Sequence, residues 1–306
     1  MYCNDSSSQS PCWFLGEEAT LHLRATYLGC LLALGLPLNG AALWVLCRRL
    51  RVWTETRVYM ANLALADLCL LCTLPFFLRS LQELGDTAFC RLSQGVYLAN
   101  RYMSIGLTAA IALDRYVAVR HPLRARGLRS PRQALAVCLG LWALVAGSLL
   151  ARGLLASHRG GFCFSSGAPG PSPTVAFSLV GFYPPLAVLA FCSLGVVAGL
   201  VRRPPGDPAQ ARASCRAARM VLAHLAVFLV CFLPLHAVLT ACLALGTLPC
   251  GIRCALAATA KLSDANCCLD AVSYYYMASD FRQAARPTPH RPSPQPTRDT
   301  LSVTVA

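Results

Sequence analysis

A chain of 306 residues that is 56% hydrophobic and only 13% charged, with a mean hydropathy of +0.52, is not a soluble globular protein, which carries about 25% charged residues. A formal charge of +14 would suit nucleic acid, but the arginines are distributed as membrane topology requires and no nucleic-acid partner is expected. Zinc is also set aside, because no C-x-x-C spacing with partner ligands occurs among the seventeen cysteines, most of which lie in apolar stretches and read as small packing residues.

Residues 1–22 are polar and lack the basic-then-apolar profile of a cleaved signal peptide, so they read as a short extracellular arm. Asn4-Asp5-Ser6 is a glycosylation sequon within it. Seven charge-poor stretches follow, at 25–47, 58–78, 92–113, 134–151, 175–201, 220–252 and 256–277. Each supplies about 20 residues of helix, enough to cross a hydrocarbon core of about 30 Å. The expected fold class is an all-α membrane protein, a seven-transmembrane helix bundle occupying 23–276. Residues 277–285 have the pattern of a short amphipathic cytoplasmic helix lying against membrane lipids. Residues 286–306, rich in Pro, Ser and Thr, read as a disordered tail.

Arginine placement sets the expected orientation. Eighteen arginines fall in the loops after spans 1, 3 and 5 and in the tail, against six in the remaining loops and span ends. The positive-inside rule then puts the N-terminus outside and the C-terminus in the cytosol.

Arg101 interrupts the third span. A guanidinium at bilayer depth costs at least about 2.5–3.5 kcal/mol, so it must face a protein interior. At about 100° per residue, Tyr97, Arg101, Ser104, Thr108 and Arg115 share one stripe of the helix. Eleven residues separate Arg101 from Cys90, which sets it roughly 16 Å below the helix start at 1.5 Å per residue. That is the depth of a cavity floor, and it outlines a receptor or a transporter.

The polar residues of the spans fall in a recognisable order. They are Leu38-Asn39, the run Asn62-Leu63-Ala64-Leu65-Ala66-Asp67, Cys90 with Asp114-Arg115-Tyr116, Trp142, Pro185, the run from Phe228 through Cys231-Phe232-Leu233-Pro234-Leu235-His236, and Asp270-Ala271-Val272-Ser273-Tyr274. One motif per span, in this order, resembles the rhodopsin-like (class A) G-protein-coupled receptors over about residues 22–285. The sixth-span run and Asp270 resemble the branch containing nucleotide, hydroxycarboxylic acid and lysophospholipid receptors. Two departures stand out: Phe232 replaces the usual tryptophan of span 6, and Ala271 the usual proline of span 7.

The resemblance implies a cell-surface receptor and not an enzyme, with heterotrimeric G proteins of the inhibitory or Rho-activating class and arrestin as partners. It implies that Asp114, Arg115, Tyr116, Phe232, Pro234, Asp270 and Tyr274 serve coupling and activation. It implies no cofactor beyond an allosteric sodium ion at Asp67, with Asn100, Ser104, Asn266 and Asp270 around it. Thr288, Ser293, Thr297, Thr300, Ser302 and Thr304 are candidate phosphosites for arrestin. Cys90 and Cys163, both on the outer side, are expected to pair, and a second bridge from Cys3 or Cys12 to Cys250 or Cys254 stays open.

A small anionic ligand is expected. Arg101 would be its charge partner, with Tyr97, Arg152, His236 and Phe164 lining the cavity, because a planar guanidinium favours carboxylate or phosphate. The competing reading keeps Arg101 in an internal pair with Asp67 or Asp264. Lys261, three residues before Asp264, reads as its ion-pair partner. A transporter or channel for small organic anions is the alternative function, disfavoured by the absence of internal repeats.

Overall fold

The computed structural model describes residues 17–49, 53–80, 87–157, 175–201, 208–246, 250–271 and 274. Among these the structure is helical, with no strand. The first helix, α1 (Glu17–Trp44), begins within the segment read as an arm and ends in a π-helical turn, Val45–Arg49. Widening a helix to i→i+5 pairing displaces carbonyls from the regular ladder. The Leu46 carbonyl accepts from Arg57 Nη2, and the buried Arg57 guanidinium lies 4.3 Å from the centre of the Trp53 ring.

Helix α2 (Glu55–Ser80) is followed by the longest element, α3 (Ala88–Arg120), whose N-cap Thr87 accepts from the Cys90 amide at 3.2 Å. A short α4 (Pro122–Leu128) precedes α5 (Pro131–Ser157). Most of α3 is buried against α2, α5, α7 and α8. The polar stripe of Tyr97, Arg101, Ser104 and Thr108 therefore faces protein, as the spacing requires. The large apolar side chains left exposed, among them Leu144, Leu150, Leu154 and Leu194, form the surface that lipid would cover.

Three of the expected spans are interrupted. The fifth divides into α6 (Val175–Val180) and α7 (Tyr183–Val201), with a turn at Gly181–Phe182. The sixth divides into α8 (Pro208–Cys231) and α9 (Leu233–Leu245) at Phe232. Pro234 explains that break, because it lacks an N–H for the preceding turn. The seventh begins as α10 (Cys250–Asp264), breaks at Ala265 and resumes over 266–271. No proline is present there. Instead the Cys267 thiol donates to the Asp264 carbonyl at 3.1 Å and the Ala265 amide turns back to the Leu262 carbonyl at 3.2 Å. A side chain inserted into the ladder bends a helix as a proline does.

Spans 3 and 5 meet along a seam of glycines. A Cβ on Gly181 would come within 2.9 Å of the Tyr102 ring, one on Gly199 within 2.8 Å of Arg120 Cδ, and one on Gly195 would overlap the Tyr116 ring. The sequence offset is the same for all three pairs, so the two spans run parallel in constant register. The expected surface helix at 277–285 and tail at 286–306 lie outside the described residues.

Candidate functional site

Three polar clusters are buried in the bundle, at successive depths. The first surrounds Arg101, which is 8% exposed. Its Nη2 donates to the Tyr97 hydroxyl at 2.5 Å and its Nε to Ser263 Oγ at 3.0 Å. The guanidinium carbon lies 4.6 Å from the centre of the Tyr97 ring. Asp264 Oδ1 is 3.6 Å from Nη2, while its Oδ2 faces Lys261 Nζ at 3.4 Å. Both expectations for these residues thus hold in part: Lys261 pairs with Asp264, and the same carboxylate also faces Arg101. Asp67 is not a partner of Arg101 among the described contacts. Tyr27 closes the cluster by donating to the Lys261 carbonyl at 2.5 Å.

Beside it stands an aromatic wall. His236 stacks on Phe182 at 3.9 Å between centres and 5° between planes, and meets Tyr102 edge-on at 6.3 Å. Its Nδ1 bonds to the Phe232 carbonyl at 2.8 Å. A carbonyl only accepts, so Nδ1 carries the proton, and in the neutral ring Nε2 is a bare acceptor. That atom is buried with no hydrogen-bond partner among the described residues. Arg152 does not snorkel outward: it is buried, donates to Ser178 Oγ at 2.5 Å and lies 5.7 Å from the Tyr102 ring centre. Phe182 and Ser178 were not singled out from the sequence, since an apolar span gives no sign of which faces meet. Phe164 lies outside the described residues.

The second cluster is at Asp67. Asn100 Nδ2 donates to its Oδ1 at 2.9 Å, and Asn266 Nδ2 donates to Asp270 Oδ2 at 3.3 Å. Asp67 Oδ2, Ser104 Oγ and the Tyr274 hydroxyl are buried without partners among the described residues. Asn39 ties the first span to the seventh through the Cys267 carbonyl at 2.8 Å. The Trp142 indole donates to Asn62 Oδ1 at 3.2 Å.

The third cluster forms at the far end of α3. Arg115 Nε donates to Asp114 Oδ2 at 3.0 Å and its Nη2 to the same oxygen at 2.5 Å. Thr56 also donates to Oδ2, at 3.0 Å, and accepts from Arg115. Arg129 takes both oxygens of Asp114 and reaches Glu55 Oε2 at 3.2 Å. The Asp114–Arg115 pair joins two residues that the sequence motif singled out. Thr56, Glu55 and Arg129 were not foreseen, because nothing in their local sequence marks them.

A buried carboxylate clamping an arginine at one end of the third span, with a buried polar cluster around Arg101 toward the other, is the arrangement that the sequence motifs imply. The family described as 7 transmembrane receptor (rhodopsin family) matches residues 38–274. The chain belongs to the rhodopsin family of seven-transmembrane receptors. It is similar to human G-protein coupled receptor 35, with 64% identity over 263 residues covering 85% of each chain. Bovine lysophosphatidic acid receptor 5 is 35% identical, over 94% of this chain and 84% of that protein. Human P2Y purinoceptor 6 is 32% identical, over 82% and 84%. Membership makes this a multi-pass plasma-membrane receptor for a small ligand, coupled to a heterotrimeric G protein. It is not an enzyme, and the transporter alternative is set aside.

In this receptor Cys90 and Cys254 are both disulfide-bonded. The expected partner of Cys90, Cys163, lies outside the described residues, as do Cys3 and Cys12. The glycosylation site Asn4 and the phosphosites Thr288, Ser293, Thr297, Thr300, Ser302 and Thr304 lie outside them too.

Proposed function

We propose that the receptor is activated by a small organic anion whose carboxylate, or equivalent group, binds Arg101. The observation that carries this reading is the buried Arg101 itself, seated on Tyr97 and facing a carboxylate that it shares with Lys261. Two cations on one buried carboxylate leave an excess of positive charge, and an anionic ligand group would neutralise it. Tyr97, Arg152 and His236 supply the adjoining wall. A relative named for lysophosphatidic acid, itself an acid, is consistent with this reading.

In the same reading the N-terminus is extracellular and the C-terminus cytoplasmic. Ligand shifts a two-state population, and Arg115 leaves Asp114 to contact the G protein. The G protein is of the inhibitory or Rho-activating class. Arrestin reads the phosphorylated tail, each phosphate adding about −1.5 to −2 charge. A sodium ion held by Asp67, Ser104, Asn100, Asn266 and Asp270 would favour the resting packing. Two oxygens in that group, Asp67 Oδ2 and Ser104 Oγ, are buried without hydrogen-bond partners among the described residues, which supports the ion reading.

A panel of aromatic carboxylates, with their uncharged amides as controls, tests the reading in cells by G-protein dissociation. Arg101→Lys is expected to weaken the acids, since charge survives without the fork geometry, and Arg101→Ala to weaken them further. Wild-type potency in both variants at normal surface density refutes it.

A further inference from the structure

Arg101 makes its shortest hydrogen bonds to neutral partners. Tyr97 lies at 2.5 Å and Ser263 at 3.0 Å, whereas its carboxylate neighbour Asp264 stands 3.6 Å away. The second cation on that carboxylate, Lys261, is also distant, at 3.4 Å. Tight charge-assisted N–H···O bonds measure about 2.7–2.9 Å. Asp264 therefore stands between two cations without a short bond to either, and accepts from the Tyr97 hydroxyl that Arg101 also contacts.

Two further features make it displaceable. The Lys261 side chain is 33% exposed while that of Asp264 is 2% exposed, so the cluster opens toward its surroundings on the lysine side. Asp264 is also the last residue before the break at Ala265, and its carbonyl accepts from the Cys267 thiol. The backbone there is already released from the regular ladder.

We propose that Asp264 is an internal, exchangeable counter-ion that competes with the ligand for Arg101. The incoming anion takes the place of the Asp264 carboxylate on Arg101, and Lys261 retains the displaced carboxylate. Because Arg101 is on span 3 and Asp264 on span 7, the exchange also removes an ionic link between those spans. Asp264 thereby sets ligand potency and resting activity together. The proposal rests on the anionic-ligand reading above.

The test uses full-length receptor in cells, with 2-naphthoate and indole-2-carboxylate as probes and G-protein dissociation as readout. Asp264→Asn is expected to raise agonist-free signalling and to move the carboxylate response to lower concentration by about tenfold, a typical coupling between linked equilibria. Asp264→Glu keeps the competitor and is expected to show neither change. The double variant Asp264→Asn, Lys261→Gln removes one cation along with the carboxylate. It is expected to reach the surface even where the single variant does not, and to keep the increased potency. Wild-type potency and wild-type resting activity in the double variant overturn the proposal. A carboxylate response that requires Arg101 but ignores Asp264 overturns this inference alone. Wild-type indifference to all carboxylates overturns the anionic reading and this inference with it.

Discussion

Arg129 donates to both carboxylate oxygens of Asp114, Nε to Oδ1 at 2.7 Å and Nη2 to Oδ2 at 3.1 Å. It thereby grips the same group that holds Arg115. The resting clamp thus has two cations, one within α3 and one from the connection between α4 and α5. Replacing Arg129 by Gln removes charged hydrogen bonds each worth about 1.5–3 kcal/mol. A lower melting temperature of the purified receptor is expected, with agonist-free signalling no higher than wild type because Arg115 keeps its partner. Asp114→Asn loosens both arginines and is expected to raise agonist-free G-protein dissociation. Arg115→Ala is expected to abolish G-protein activation at normal surface density.

Asp67 presents one oxygen to Asn100 and leaves the other, also buried, without a donor among the described residues. If that oxygen serves a sodium ion, agonist potency in wild-type membranes falls as sodium replaces potassium. Asp67→Asn is expected to remove the difference. Equal salt response in wild type and variant excludes the ion site.

Gly195 takes the Tyr116 ring where a side chain would stand, whereas Gly140 has nothing near its missing Cβ. Overpacking a filled interface costs about 1–3 kcal/mol. Gly195→Ala is expected to reduce surface expression and melting temperature, and Gly140→Ala to leave both near wild type. Similar effects from the two substitutions would show that the seam does not fix the distance between spans 3 and 5.

Cys90 and Cys254 are both in disulfides at the end of the bundle that carries the Arg101 cluster. Loss of a native disulfide costs typically about 2–4 kcal/mol. Cys90→Ser and Cys254→Ser are each expected to lower surface delivery. Peptide mapping without reduction is expected to recover Cys90 joined to Cys163 and Cys254 joined to an N-terminal cysteine. Alkylation of Cys90 in native receptor contradicts the first pairing.

The bundle, its polar stripe and its motif order were legible in the sequence because membrane insertion acts on local composition. Twenty apolar residues make a span wherever they occur, and helical period alone decides that Tyr97, Arg101, Ser104 and Thr108 share a face. The Lys261–Asp264 pair was legible for the same reason, since three residues on a helix are adjacent turns. Contacts between spans were not. The sequence offered Asp67 and Asp264 alike as internal partners of Arg101, and that Arg101 faces Asp264, that Trp142 bonds Asn62, and that Arg129 joins Asp114 depend on how helices rotate and pack. The bend at Ala265 also escaped the sequence, because a thiol donating to a carbonyl leaves no proline to mark it. Local periodicity determined which side chains each helix turned inward. Only tertiary packing decided which of them met, because partners on different helices are fixed by the register and rotation of whole elements rather than by neighbours in the chain.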